Sequence, residues 1–211
     1  MKIIKLEPKK FSEKILSMKG ISKKTVEEHL KLYQGYVNKY NEIQEKLTAL
    51  SQEDYAKANQ VFSTIRELKV ELSFAWGGVI NHEIYFGHLG GKGGKPTGEL
   101  LKQIEEDFGS FDAYKKDLKA TGISARGWVW TGWNYREERL VNYLGDSQNT
   151  YAMWEVDPIL ALDTYEHAYF IDYGVNRAGY IDSFFENLDW KVIKENFDSV
   201  CCGNCGVDGQ C

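Results

Sequence analysis

Residues 90–99 read GGKGGKPTGE, and this stretch divides the chain. Five glycines and a proline in ten residues interrupt any helix or strand, so a boundary falls here. The sequence before it is helical. Residues 25–49 (TVEEHLKLYQGYVNKYNEIQEKLTA) contain no proline, and His29, Tyr33, Tyr36 and Tyr40 recur at steps of four, three and four, on one helix face. Ser22 stands where an N-cap belongs. Ser51 opens a second helical stretch that breaks near Phe62 and resumes through RELKVELSFAWGGVINHEIYFGHL at 66–89, with Phe74, Gly78, Asn81, His82 and Tyr85 on one stripe. These segments read as an antiparallel helical hairpin. Beyond the break the pattern gives helices at Glu99–Phe108 and Phe111–Ala120, the second capped by Ser110. GWVWTGWN and RLVNYLGD then flank the turn Tyr135–Glu138 as a β-hairpin. A third strand is expected at Met153–Val156, and helices from about Glu166 to Phe197.

The 211 residues are enough to bury a core without disulfide staples. Lys plus Arg number 26 and Asp plus Glu 31, a net charge of −5 that argues against a general nucleic-acid binder. No run approaches the ~20 apolar residues of a membrane span. The opening MKIIKLEPKKFSEKI lacks the apolar core of a secretion signal. All four cysteines (Cys201, Cys202, Cys205 and Cys211) fall in the last eleven residues, so the body was not built around disulfides, and a reducing cytoplasm is expected.

The chemistry starts with four histidines. His29 lies on an aromatic helix face. His82 follows Asn81 inside the apolar run WGGVINHEIYF, where an unpaired imidazole is costly. His167 stands four residues after Asp163 in LALDTYEHAYF, a spacing that lets carboxylate and imidazole converge. His88 has no such company and reads as an ordinary surface or core residue. Two or three imidazoles with one carboxylate suit iron, manganese or zinc, with a position left open. A buried hydrogen-bonded Asp163–His167 pair fits the spacing equally well.

DTYEHAYF at 163–170 closely resembles the Asp-x-Trp-Glu-His-Ala-Tyr-Tyr signature of the iron/manganese superoxide dismutases. ISKKTVEEH at 21–29, FAWGGVINHEIYF at 74–86, PTGELLKQIEEDFGSFDAYKKDL at 96–118, GWVW at 127–130 and YGVNRAGYIDSFFENLDW at 173–190 resemble that family in the same order. The resemblance implies an α+β fold, in which an N-terminal α-hairpin domain (21–90, after an extension at 1–20) donates His29 and His82. A C-terminal α/β domain (91–200) with a three-stranded antiparallel sheet donates Asp163 and His167. It implies one iron or manganese ion per subunit, superoxide as substrate, and a homodimer, with a tetramer as the larger alternative. Neither nucleic acid nor membrane is an expected partner. In the family Glu166 reaches the partner subunit's ligand histidine, and the position of Phe170 lies in the same interface. A glutamine in the family bonds the solvent on the metal. Here Gly78 occupies the helix position it can come from, and Gln148 is the candidate from the sheet side. Trp128 or Trp130 is expected in the pocket wall, with Trp76 and Trp133 as core.

The chain departs from the family at several points. The gateway tyrosine usually lies eight residues after the first ligand, but Tyr36 lies seven after His29. At ~100° per residue a seven-residue step leaves both side chains nearly in line, whereas eight residues rotate them about 80° apart unless the helix is bulged. A regular helix is therefore expected, with Tyr36 toward the metal-bound solvent and Tyr33 near the partner's Phe170. The alternative is a gateway rebuilt around Tyr33. Phe86 and Tyr165 stand where tryptophan is usual. A non-dismutating metal-binding protein, or another oxidoreductase on the same fold, is the second functional reading. The tail CCGNCGVDGQC lies outside the resemblance. It is open to a thiolate metal site, a redox role or a free end.

Overall fold

The computed structural model describes residues 3–150 and 152–202. Cys205 and Cys211, and with them most of the cysteine-rich tail, lie outside the described residues. Helix α1 (Lys23–Thr48) runs without a bulge. Ser22 accepts the Thr25 N–H, and the Asp172 carboxylate from the other half of the chain accepts the Ser22 N–H and the Thr25 hydroxyl, each at 2.7 Å. A short α2 (Gln52–Ala56), closed by a Ser51–Asp54 capping box, leads to α3 (Thr64–Gly87), which packs along α1. The two long helices are the expected hairpin.

The glycine-rich stretch is paired backbone. Leu89 bridges Leu188, and the N–H groups of Gly91 and Gly93 donate to the carbonyls of Asn187 and Leu188. Then follow α4 (Glu99–Phe108) and α5 (Phe111–Ser124), the latter capped by Ser110 and four residues longer than the sequence indicates. Strands β1 (Trp128–Asn134), β2 (Arg139–Gly145) and β3 (Val156–Asp163) form one antiparallel sheet in the order β2-β1-β3. The third strand thus begins where it was expected to end. VDPILALD is apolar without alternation, and the interior proline hides it as a strand. Its last residue, Asp163, pairs with Trp128 of the central strand. A 3₁₀ turn at Glu166–Ala168 and helices α6 (Phe170–Tyr173), α7 (Arg177–Glu186) and α8 (Trp190–Cys202) complete the described chain.

One apolar core joins the halves. Val26, Tyr33, Val79, Tyr85 and Phe86 of the hairpin pack with Trp128, Leu160, Leu162, Tyr180 and Phe184 of the second half. Trp76, expected in this core, is 43% exposed and packs at a tilt against Tyr40 on α1. Trp133 is half-buried against Phe197.

Candidate metal centre

Four side chains meet where the hairpin joins the sheet. His29 comes from the second turn of α1, His82 from the last third of α3, Asp163 from the end of β3 and His167 from the 3₁₀ turn after it. One ligand-type atom from each lies within 4.8 Å of every other. The Asp163 Oδ2 is 3.0 Å from Nε2 of both His29 and His167, and 3.8 Å from Nε2 of His82. His29, His82 and Asp163 are essentially inaccessible to solvent.

The local backbone orients each group. His82 Nδ1 lies 2.6 Å from the Gly78 carbonyl, which can only accept, so Nδ1 carries the proton and Nε2 is left as a bare lone pair. The Tyr165 N–H donates to Asp163 Oδ1, turning Oδ2 toward the imidazoles. The Asp163 carbonyl accepts from the Tyr180 hydroxyl at 2.8 Å, and Tyr85 adjoins Tyr180 at 3.0 Å. Sequence reading missed Tyr180, because nothing local links it to Asp163, seventeen residues away.

Burial and the Asp163 charge compete in setting the protonation states. Burial pushes His29 down, and it pushes His82 down to about 3 with the His29 ring adding to the effect. Burial alone would raise the Asp163 carboxyl, but the adjacent His167 and His29 rings hold it well below the usual carboxylate range. At His167 burial is outweighed by Asp163, and the ring is raised. The centre is a buried anion facing imidazoles, two of which favour the neutral form.

This arrangement fits a cation. The Nε2 atoms of His29 and His82 are buried without a hydrogen-bond partner, the former despite its 3.0 Å approach to Asp163. Buried polar atoms left bare are costly, and a metal ion among them would satisfy both. Three imidazole nitrogens and one carboxylate oxygen form a borderline donor set that suits iron or manganese.

A polar chain flanks the cluster. Trp128, edge-on to His82 at 5.1 Å, donates its indole N–H to Gln148 Oε1 at 3.0 Å. Gln148 Nε2 donates to the Tyr36 oxygen at 3.2 Å, and the Tyr36 ring lies 5.4 Å from His82. Burial, reinforced by Asp163, raises the Tyr36 phenol. Two glycines admit this chain. A Cβ on Gly77 would fall 2.1 Å from the Gln148 carbonyl oxygen, and one on Gly78 would fall 2.4 Å from the Tyr36 ring. Asn81 donates to the Gln148 carbonyl and accepts the Trp130 indole N–H, each at 3.2 Å.

The other expected residues lie elsewhere. Tyr33 is buried and turns its hydroxyl to Glu83 and to the N-terminal segment, because position i+4 of an unbulged α1 faces α3. Glu166 and Phe170 are exposed on this chain. His88 is fully buried and its Nε2 accepts the Ala161 N–H at 3.1 Å.

A cluster of three imidazoles and one carboxylate that could hold one metal ion, shared by a helical hairpin and the part carrying a three-stranded sheet, is therefore the defining feature of the molecule. The family model described as iron/manganese superoxide dismutases, alpha-hairpin domain, matches residues 18–90, and that described as their C-terminal domain matches 96–196. The chain is 47% identical over 203 residues to the superoxide dismutase [Fe] of Aquifex pyrophilus, covering 95% of this chain and 94% of that one. It is 46% identical to the corresponding protein of Aquifex aeolicus (strain VF5), with the same coverage. It is 34% identical to the mitochondrial superoxide dismutase [Mn] of Glossina morsitans morsitans, covering 86% of this chain and 83% of that one. The chain belongs to the iron/manganese superoxide dismutase family.

Proposed function

We propose that the chain dismutates superoxide to oxygen and hydrogen peroxide at one iron or manganese ion held by His29, His82, Asp163 and His167. The observation that carries this reading is the convergence of four ligand-type atoms within 4.8 Å, two of them buried and bare. When bound, iron or manganese supplies a one-electron couple that takes an electron from one superoxide and returns it to the next, with two protons consumed in the second step.

The chain's own residues supply the rest. The Asp163 carboxylate offsets cationic charge in a site with little water. Tyr36 accepts from Gln148, so its own proton is the one that can be given to a developing peroxide. Trp128 fixes the Gln148 carboxamide so that its NH₂ end faces Tyr36. Glu166 is read as reaching the partner's His167 across a two-fold axis, with Phe170 in the same face. Its exposure beside His167 supports that reading, and sedimentation at micromolar concentration as a dimer is the expected result. The hairpin (21–90) and the α/β part (91–200) are read as two units joined by the metal. The cytoplasm is the proposed compartment, since none of residues 1–200 is a cysteine.

Purified protein loaded separately with iron and with manganese is the test. Catalysed superoxide decay is expected with at least one metal. Full occupancy by iron and by manganese in turn, with no decay above background for both, would leave the metal-binding alternative.

A further inference from the structure

The N-terminal segment crosses the outside of the hairpin and is tied to both long helices. Leu6 exchanges two hydrogen bonds with the Asn41 side chain on α1, at 2.8 and 2.9 Å. Further along, the Lys9 N–H donates to the Tyr33 oxygen at 2.8 Å, and Tyr33 in turn donates to Glu83 Oε1 at 3.0 Å. The Lys9 ammonium pairs with the other oxygen of Glu83. Three segments thus meet on one carboxylate whose side chain is 12% exposed. Phe11 packs on Tyr33 and on Phe86, and Phe86 lies 4.8 Å from the His29 ring.

The position of this junction is informative. Tyr33 is one helical turn after His29 on α1, and Glu83 directly follows His82 on α3. Each helix therefore carries a ligand and, beside it, one half of a clamp. Rolling either helix to change the 4.9 Å separation of the His29 and His82 rings would break the Tyr33–Glu83 bond.

We infer that Tyr33 is a positioning residue for the metal centre: its hydroxyl, held between the Lys9 N–H and the Glu83 carboxylate, locks α1 against α3 and sets how His29 and His82 face one another. This rests on the ligand assignment proposed above. Tyr33 touches no reacting atom; it acts through the two imidazoles.

The test uses the full chain loaded with manganese. In Tyr33→Phe the release of manganese into a chelator should quicken by about tenfold, the usual size of an effect from a group that orients a ligand. The visible ligand-field band of the oxidised metal should also shift. Glu83→Gln keeps an acceptor for Tyr33 and is expected to change release much less, whereas Glu83→Ala should reproduce Tyr33→Phe. The double variant Tyr33→Phe/Glu83→Ala should be little worse than either single one, since both remove the same junction. A band and release rate in Tyr33→Phe equal to wild type, even with a lowered melting temperature, would overturn the inference and leave Tyr33 a packing residue. Should Tyr33→Phe not fold, an unchanged band in Glu83→Ala would overturn it equally. Failure of the wild-type chain to hold iron or manganese would instead end the ligand assignment, and is seen before any variant is made.

Discussion

The last third of α3 and the C-cap that ends it carry two fully buried histidines six residues apart, and they sit in opposite kinds of surroundings. At His82 the Gly78 carbonyl takes the proton side of the ring and leaves Nε2 bare, aimed at a carboxylate and two other imidazoles. At His88 the Nε2 accepts the N–H of Ala161, on the outer edge of β3, and the ring packs on Phe184. Burial lowers the proton affinity of both, to about 3 and about 4. A depressed, neutral imidazole is thus common to a ligand and a structural residue. What separates them is whether the lone pair already has a donor.

The most severe way to break this comparison is to remove each ring in turn. His82→Ala should lose tight iron or manganese binding and, with it, more than about 100-fold of activity. His88→Gln should keep full metal content by elemental analysis. Full occupancy in His82→Ala would refute the ligand assignment.

A second variant probes the surroundings of His82 without touching a ligand. Gln148→Ala separates Trp128 from Tyr36 and is expected to slow turnover by about 10- to 100-fold at unchanged metal content. Turnover within twofold of wild type would remove Gln148 from the mechanism.

Acid sharpens the contrast from the other side. An unfolded histidine binds its proton near pH 6.5, while folded His88 binds it only near 4, so the unfolded state holds more protons between these values. The His88 contribution is therefore present above about pH 6.5 and is lost as the pH falls toward 4, by up to about 3 kcal/mol. Denaturant melts of metal-loaded wild type and His88→Gln across this window should converge on acidification. Parallel curves would contradict the assignment.

The smallest expected effect comes from Gly78→Ala. The added methyl meets the Tyr36 ring, costing about 1–3 kcal/mol by overpacking, with metal retained. A stability equal to wild type would mean that Tyr36 yields freely.

Much of this was legible in the sequence where the signal is local. Ser22, Ser51 and Ser110 announced three helix starts, and the turn at Tyr135–Glu138 located two strands. His82 was separable from His88 only by the company of its neighbours, since nothing in the sequence shows which ring nitrogen meets a donor. The third strand was misplaced because VDPILALD has no alternation to read. The direction of the Tyr33 hydroxyl was illegible for a different reason. It depends on Lys9, twenty-four residues away, and on Glu83, fifty residues away, and such partners are brought together only by the folded hairpin.

The close approach of Gly78 to Tyr36 makes the two positions interdependent. A residue larger than alanine at 78 would displace the Tyr36 ring, whose direction follows from its seven-residue step from His29 along an unbulged helix. An amide side chain placed at 78 would therefore compete with the Tyr36 ring for the same space. The glycine at 78, the seven-residue step from His29 to Tyr36 and the amide at 148 are therefore coupled in packing, and a replacement at one of them is expected to change the cost of a replacement at the others.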